Sequence, residues 1–305
     1  MTSQYETKRL ITFDRIKIKS NYKYLLNTKV KFNEMFHSRS GEKIGIFYSS
    51  KDDINIPYNL YIAVSYIKQT LTLEFSSKIL KEKYPDLISR DTIKECLTNI
   101  NQLNICDIDV DSILSNGAIT SVDVTYDANL ILSDNLLDAL NSQVNNYRRF
   151  KWAHYDKEGI MFTKDVKSKD CTETITLYNK EKEICTSHNK DFLNSLSQPQ
   201  SVIDYFKEKT RFEITLDTPK KIMKYLNLTD TKIFSVLNSD TNPILAQFDK
   251  VFGNSTANMP NTTFDDYENW AMKIILERYN GDLKLLEQDV RSKFTQWSSQ
   301  TNEKV

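Results

Sequence analysis

Glycine is scarce in this chain, six residues in 305, and no glycine-rich phosphate loop occurs anywhere. That argues against an ATPase or a dinucleotide-dependent enzyme. Cysteine is nearly as rare. Cys96, Cys106, Cys171 and Cys185 are spaced too widely for a zinc knuckle or a redox pair, and read as free thiols in a reducing compartment. The three histidines, His37, His154 and His188, form neither an H-E-x-x-H motif nor a His-x-His pair. No apolar run reaches the roughly 18 residues of a membrane span. The opening MTSQYETKRL lacks the apolar centre of a signal peptide, so the expected setting is cytosolic. There the N-x-S/T triplets at Asn227, Asn254 and Asn261 carry no glycosylation meaning. A charge excess is missing too: 41 basic residues balance 41 acidic ones. Nonspecific coating of nucleic acid is thereby disfavoured, while a local basic surface is not.

With 39% hydrophobic and 27% charged residues, the composition is that of a globular protein with a real core. Two segments are locally basic. Arg148, Arg149, Lys151, Lys157, Lys164, Lys167 and Lys169 form one; Lys207, Lys209, Arg211, Lys220, Lys221 and Lys224 form the other. Either is compatible with solvated surface or with a phosphate-facing patch.

Alternation of apolar and polar residues predicts strands at LITFDRIKIKS, KIGIFYS and YNLYIAVSYIKQTLTLEF, and again at GAITSVDVTYD, TETITLYNK and TRFEITLD. GIMFTKDV and TETITLYNK read as the arms of a hairpin. Helical spacing follows capping residues at Ser89 and Ser133, and Pro219 opens a further helix. From Thr229 onward the pattern is helical and polar, with Gly253 to Phe264 reading as a linker. The expected fold class is α+β: an antiparallel sheet with helices on one face, followed by a helical C-terminal part.

Residues of equal parity in a strand share a face. In TLTLEFS, SVDVTYD, TITLYNK and TRFEITL, one face is apolar. The other carries Glu74, Asp123, Glu213, Arg211, Tyr178 and Lys180. Such a polar face is ordinary in an antiparallel sheet. Neighbouring strands lie about 4.8 Å apart, so carboxylates from two or three of them could also converge on Mg²⁺ or Mn²⁺. A phenol with a pKa of about 10 needs a neighbouring cation to become a nucleophile. Lys180, two residues from Tyr178, is placed by parity to supply one.

The order S-V-D-V-T, L-Y-N-K-E-K-E, R-F-E-I-T-L resembles the replication initiators of filamentous single-stranded DNA phages, the gene II/X family. It is similar, more distantly, to rolling-circle plasmid initiators. The resemblance runs over about residues 10–228 and implies a site-specific, metal-dependent endonuclease that nicks and rejoins one DNA strand. Tyr178 then matches the nucleophile, forming a 5′-phosphotyrosyl link and freeing a 3′-hydroxyl primer. Lys180 and Glu183 match the lysine and glutamate that follow it, and Arg211 would steady the phosphate or orient Glu213. Glu74, Asp123, Glu213 and Glu183 would be the metal-holding acids. Glu183 has the wrong parity unless the strand bulges or ends before it.

The histidine pair of many rolling-circle initiators is missing, so the metal would rest on carboxylates alone. Arg148, Arg149, Lys151, Lys164 and Lys167 are the expected DNA-binding residues, and Tyr155 is a candidate second tyrosine. The expected division is a nicking domain over 1–228 and a helical region over 229–305. The expected partners are an origin DNA, single-stranded or supercoiled, with host helicase and polymerase, in the host bacterial cytoplasm. A non-catalytic DNA-binding phage protein, and a relaxase or transposase nickase, stand as alternatives.

Overall fold

Alternation in the first 130 residues is realised as a series of strands hydrogen-bonded side by side. These are β1 (Phe13–Asn21), β2 (Leu25–Thr28), β3 (Asn33–Phe36), β4 (Lys43–Ser49), β5 (Leu60–Ser65), β6 (Thr70–Ser76), β7 (Cys106–Ile108) and β8 (Ala118–Asn129). Further along come β9 (Phe150–Tyr155), β10 (Gly159–Lys164), β11 (Thr174–Asn179) and β12 (Lys209–Leu216). The structure is a computed structural model that describes residues 11–137, 140, 150–155, 159–164, 174–244, 284, 285 and 288. The chain divides into two compact units, Met1–Leu130 with Ile175–Ile244, and Ile131–Thr174 with Leu245–Val305.

In the first unit the strand order is β3-β4-β5-β6-β1-β8-β12-β11, and every pairing is antiparallel. The alternating stretch YNLYIAVSYIKQTLTLEF forms two strands, β5 and β6, that turn through Gln69 at φ 49°. The separate pair β2–β7 makes a small second sheet. In the second unit, β9 and β10 form an antiparallel hairpin with Gly159 opposite Tyr155. The expected turn at Lys167–Asp170, the linker at Gly253–Phe264 and most of the C-terminal helices lie outside the described residues.

The apolar face is the one parity assigns. Leu71, Leu73, Phe75, Ile119, Val122, Val124, Ile175, Leu177, Ile214 and Leu216 are buried, together with Phe13, Ile16 and Ile18 of β1. The α-helices of the first unit are α1 (Ile93–Gln102), α2 (Val110–Asn116), α3 (Lys180–Ile184), α4 (Lys190–Asn194), α5 (Pro199–Phe206), α6 (Pro219–Leu226) and α7 (Ile233–Leu237). Helix α1 buries Ile93, Cys96, Leu97 and Ile100, the i, i+3, i+4, i+7 stripe of an amphipathic helix. Among the described residues no helix is long and apolar enough to cross a membrane.

Strand β1 carries one irregularity that matters for the site. Its register against β8 shifts between Phe13 and Arg15. The Asp14 N–H donates to Thr125 Oγ1 at 3.2 Å rather than to a carbonyl. The bulge lets two consecutive residues, Asp14 and Arg15, reach polar-face partners while Phe13 and Ile16 stay in the core.

Candidate active site

The polar face of the central strands carries two neighbouring groups of charges. The first sits on β6, β1 and β8. Arg15 donates from Nε to Asp123 Oδ2 at 2.7 Å, from NH2 to Asp123 Oδ1 at 3.0 Å, and from NH1 to Glu74 Oε1 at 2.8 Å. Lys17 reaches Glu74 Oε2 at 2.8 Å, and Thr215 Oγ1 donates to Asp123 Oδ1 at 2.8 Å. Two acids therefore meet two bases. Burial alone would raise the Glu74 carboxyl, but Lys17 and Arg15 hold it below the ordinary value.

The second group forms where β11 meets β12. Tyr178 stands opposite Arg211, and its hydroxyl donates diagonally to Glu213 Oε1 at 2.8 Å. Arg211 is wholly buried. Nε and NH2 donate to the two Asp127 oxygens at 2.6 and 2.9 Å, and NH1 donates to Asp14 Oδ1 at 3.2 Å and Tyr84 Oη at 2.9 Å. Asp14 also accepts from Ser77 Oγ at 2.5 Å. Tyr84 and Phe206 roof the guanidinium, with ring centroids 5.4 and 5.2 Å from Cζ. This corner of the polar face is thus closed over rather than wet.

Strand β11 ends at Asn179, whose side chain caps α3 by accepting from the Lys182 N–H at 2.9 Å. Lys180 is therefore the first residue of a helix and not, as parity expected, a strand residue on Tyr178's face. Its side chain is 2% exposed, lies over the Tyr178 and Tyr84 rings, and pairs with Glu183 Oε2 at 2.5 Å. The early strand end removes the parity objection to Glu183, which meets Lys180 one helical turn on. Asn189, also buried, donates to Glu183 Oε1 at 3.0 Å and accepts from Lys78 Nζ at 2.5 Å.

These contacts set the protonation states. The cluster of contacts that includes Tyr178 and Tyr84 holds three cations, Arg211, Lys180 and Lys78, and four carboxylates, Asp14, Asp127, Glu183 and Glu213. Glu213 is the acid without a close ion pair; its nearest cation, Arg211 NH1, is 3.9 Å away. Burial first, and the charge of Asp14 next, push the Glu213 carboxyl up to about 7. Burial and the Glu213 charge hold the Tyr178 phenol well above its ordinary value. Asp14, which burial would raise, is brought down by Arg211 and then Lys180. Burial and the neighbouring Arg211 lower the Lys180 ammonium. The pair is thus a protonated phenol hydrogen-bonded to a carboxyl that titrates near neutrality and that, once ionised, is positioned to accept the phenol's proton.

Of the four acids expected to hold a metal, Glu74 and Asp123 are claimed by Arg15 and Lys17, Glu183 by Lys180, and Glu213 by Tyr178. They do not form a carboxylate cage, and among the described residues no three His, Cys, Asp or Glu side chains could hold a metal ion. Arg211, fully buried with its nitrogens engaged, is placed to hold Asp127 and flank Glu213 rather than to meet a phosphate. Of the expected DNA-binding residues, Lys151 lies on β9 opposite Thr163, and Lys164 on β10 opposite Phe150. Tyr155 ends β9, and Arg148, Arg149 and Lys167 lie outside the described residues. The second basic segment disperses: Lys221 pairs with Asp217 at 2.7 Å, and Lys209 contacts Asn129 at 2.5 Å.

Residues 87–235 match the family model for the N-terminal part of a phage replication-associated protein. That match bears out the resemblance and is consistent with a phage rolling-circle replication initiator. No curated protein matches the chain. The matched segment contains Asp123, Asp127, Tyr178, Arg211 and Glu213; Asp14, Arg15, Glu74, Lys78 and Tyr84 precede it. The sequence reading missed Asp14, Lys78, Tyr84, Asp127 and Asn189. Two of them left a signal: parity puts Asp127 on the same face as Asp123, and Phe13 breaks parity with Ile16 and Ile18, which marks the bulge at Asp14.

Proposed function

We propose that this phage replication-associated protein nicks and rejoins one strand of an origin DNA through Tyr178. The observation that carries the reading is the 2.8 Å hydrogen bond from the Tyr178 hydroxyl to Glu213, a carboxyl pushed up to about 7. In its ionised form Glu213 accepts the phenol proton as Tyr178 Oη bonds to phosphorus. The P–O3′ bond breaks, and the departing 3′-oxygen takes a proton from solvent. The product is a 5′-phosphotyrosyl link and a free 3′-hydroxyl, the primer for a host polymerase. Rejoining is the reverse, with the hydroxyl attacking phosphorus and protonated Glu213 returning its proton to the phenol. Arg211 stays buried throughout and fixes the spacing of Asp127, Asp14 and Glu213. The acids as arranged do not fit a carboxylate-only metal centre, so no step runs through one.

The test is nicking of supercoiled DNA carrying the cognate origin. Wild type should yield open circles with protein covalently attached, and Tyr178→Phe should yield neither. Equal nicking by the variant would move the nucleophile elsewhere. DNA binding without nicking by wild type would leave a non-catalytic binding protein.

A further inference from the structure

A phosphodiester brought to Tyr178 must approach a carboxylate, Glu213, in the form that acts as base. Some cation at the rim has to offset that repulsion, and the two cations matched by family resemblance are poorly placed to do so. Arg211 is wholly buried with Nε, NH1 and NH2 all donating, and Lys180 is 2% exposed and paired with Glu183. We propose that Lys78, which no expectation singled out, is the side chain that receives the substrate phosphate, a reading that rests on the nicking function above.

Lys78 follows β6 at the start of the helical turns Ser77–Asp86 and is half-buried. Its ammonium is held by a neutral partner, Asn189 Oδ1 at 2.5 Å, and by two ring faces. The Tyr84 and Phe192 centroids lie 5.9 and 5.4 Å away. Aromatic faces and an amide orient a cation without cancelling its charge. Tyr84 also gathers Lys180 at 5.3 Å and Arg211 at 5.4 Å, so Lys78 belongs to the same cluster as the Tyr178–Glu213 pair. It acts on Asp14 and Glu183 at long range, lowering both carboxyls behind larger effects. Two neighbours preset its place: Ser77 is anchored to Asp14, and Asn189 is anchored to the Glu183 carbonyl at 2.7 Å. A negatively charged oxygen can be taken on by this ammonium without breaking an ion pair.

The full chain, with Tyr178→Phe to prevent cleavage, is titrated with a single-stranded oligonucleotide of the nicked origin strand over a range of salt. Lys78→Gln should weaken binding about five- to tenfold and make the slope of log K against log salt shallower by about 0.7. Lys78→Arg should restore both. With Tyr178 intact, single-turnover nicking by Lys78→Gln at saturating DNA should fall about 100-fold, because the contact strengthens as charge builds on the phosphate. Asn189→Ala cuts the same staple but keeps the charge, so it should retain the wild-type slope. If Lys78→Gln fails to fold, Lys78→Met, which keeps the aliphatic stem against the two rings, takes its place in the titration, with Asn189→Ala and Lys78→Arg beside it as the variants that keep the charge. Loss of the slope in both would make Lys78 a structural staple and overturn the proposal. A folded Lys78→Gln protein with unchanged slope and nicking would also overturn it while leaving the nicking reading intact. A wild type that binds but never nicks defeats the nicking reading, and the slope of Lys78→Gln then still decides the contact.

Discussion

At the scale of single residues, Glu213 ties activity and stability together. Its carboxyl is raised from the ordinary 4.5 to about 7, so the folded protein holds a proton that the unfolded chain has released. The native state binds more protons between those values, so this residue's share of stability is present below about 4.5, declines with rising pH and is gone above about 7. Ionised Glu213 is then a strain on the fold of up to about 3 kcal/mol. Glu213→Gln should therefore raise the unfolding midpoint at pH 8 and leave it nearly unchanged at pH 4.5, while reducing nicking at least 100-fold. Thermal melts and the nicking assay check the two halves. Wild-type nicking should fall as pH drops below about 7, because the base is lost. Arg211 gives the opposite kind of prediction. Arg211→Met leaves Asp127 and Asp14 buried beside an apolar side chain, at a cost of about 3–5 kcal/mol in urea titration.

At the scale of elements, the turns Ser77–Asp86 hold Tyr84 and Lys78 in place under backbone strain. Lys81 has φ 56° and ψ −118°, and Leu87 beyond the segment has φ 57° and ψ 175°, conformations suited to glycine. The strain is held by side-chain ties. Ser77 binds Asp14, Glu82 accepts from Ser197 at 2.7 Å, and Lys83 pairs with Glu95 at 2.9 Å. Lys81→Gly should stabilise the protein by about 1 kcal/mol, read as a higher urea midpoint. Gly45 in β4 is the reverse case. A methyl group there would strike the Val64 carbonyl and the Met35 side chain, so Gly45→Ala should cost about 1–3 kcal/mol in the same titration. Elements were legible in sequence where one local rule decided them. Alternation was enough for β6, β8, β11 and β12, because each has one buried face. It failed at Lys180, where Asn179 is both the last strand residue and a helix cap, and the capping hydrogen bond wins. It also failed at Asp14, because a bulge inverts parity. Tyr84, Lys78 and Asn189 lie outside the strands, in segments whose placement depends on packing against distant parts of the chain, and no periodicity announces that.

At the scale of the whole molecule, the balanced charge limits how DNA is held. A net charge of +0 leaves recognition to local cations. Oligonucleotide binding should then show a salt slope no steeper than about −4, equivalent to about six phosphates on a single strand. The eight-stranded order of the first unit was not legible, since parity gives faces and not neighbours. Central β1, which places Arg15 between Glu74 and Asp123, has to be paired with both β6 and β8 before those acids are neutralised.

The burial of Arg211 bears on when the corner around Tyr178 can be assembled at all. Its partners Asp14, Tyr84 and Asp127 are 197, 127 and 84 residues away along the chain. Contacts of such separation close late in folding. A chain still emerging from the ribosome has Tyr178 translated but lacks Arg211 and Glu213, so the tyrosine has neither its base nor its frame. On the nicking reading proposed above, nascent and truncated chains have no competent site until synthesis has passed β12 and the distant segments have met.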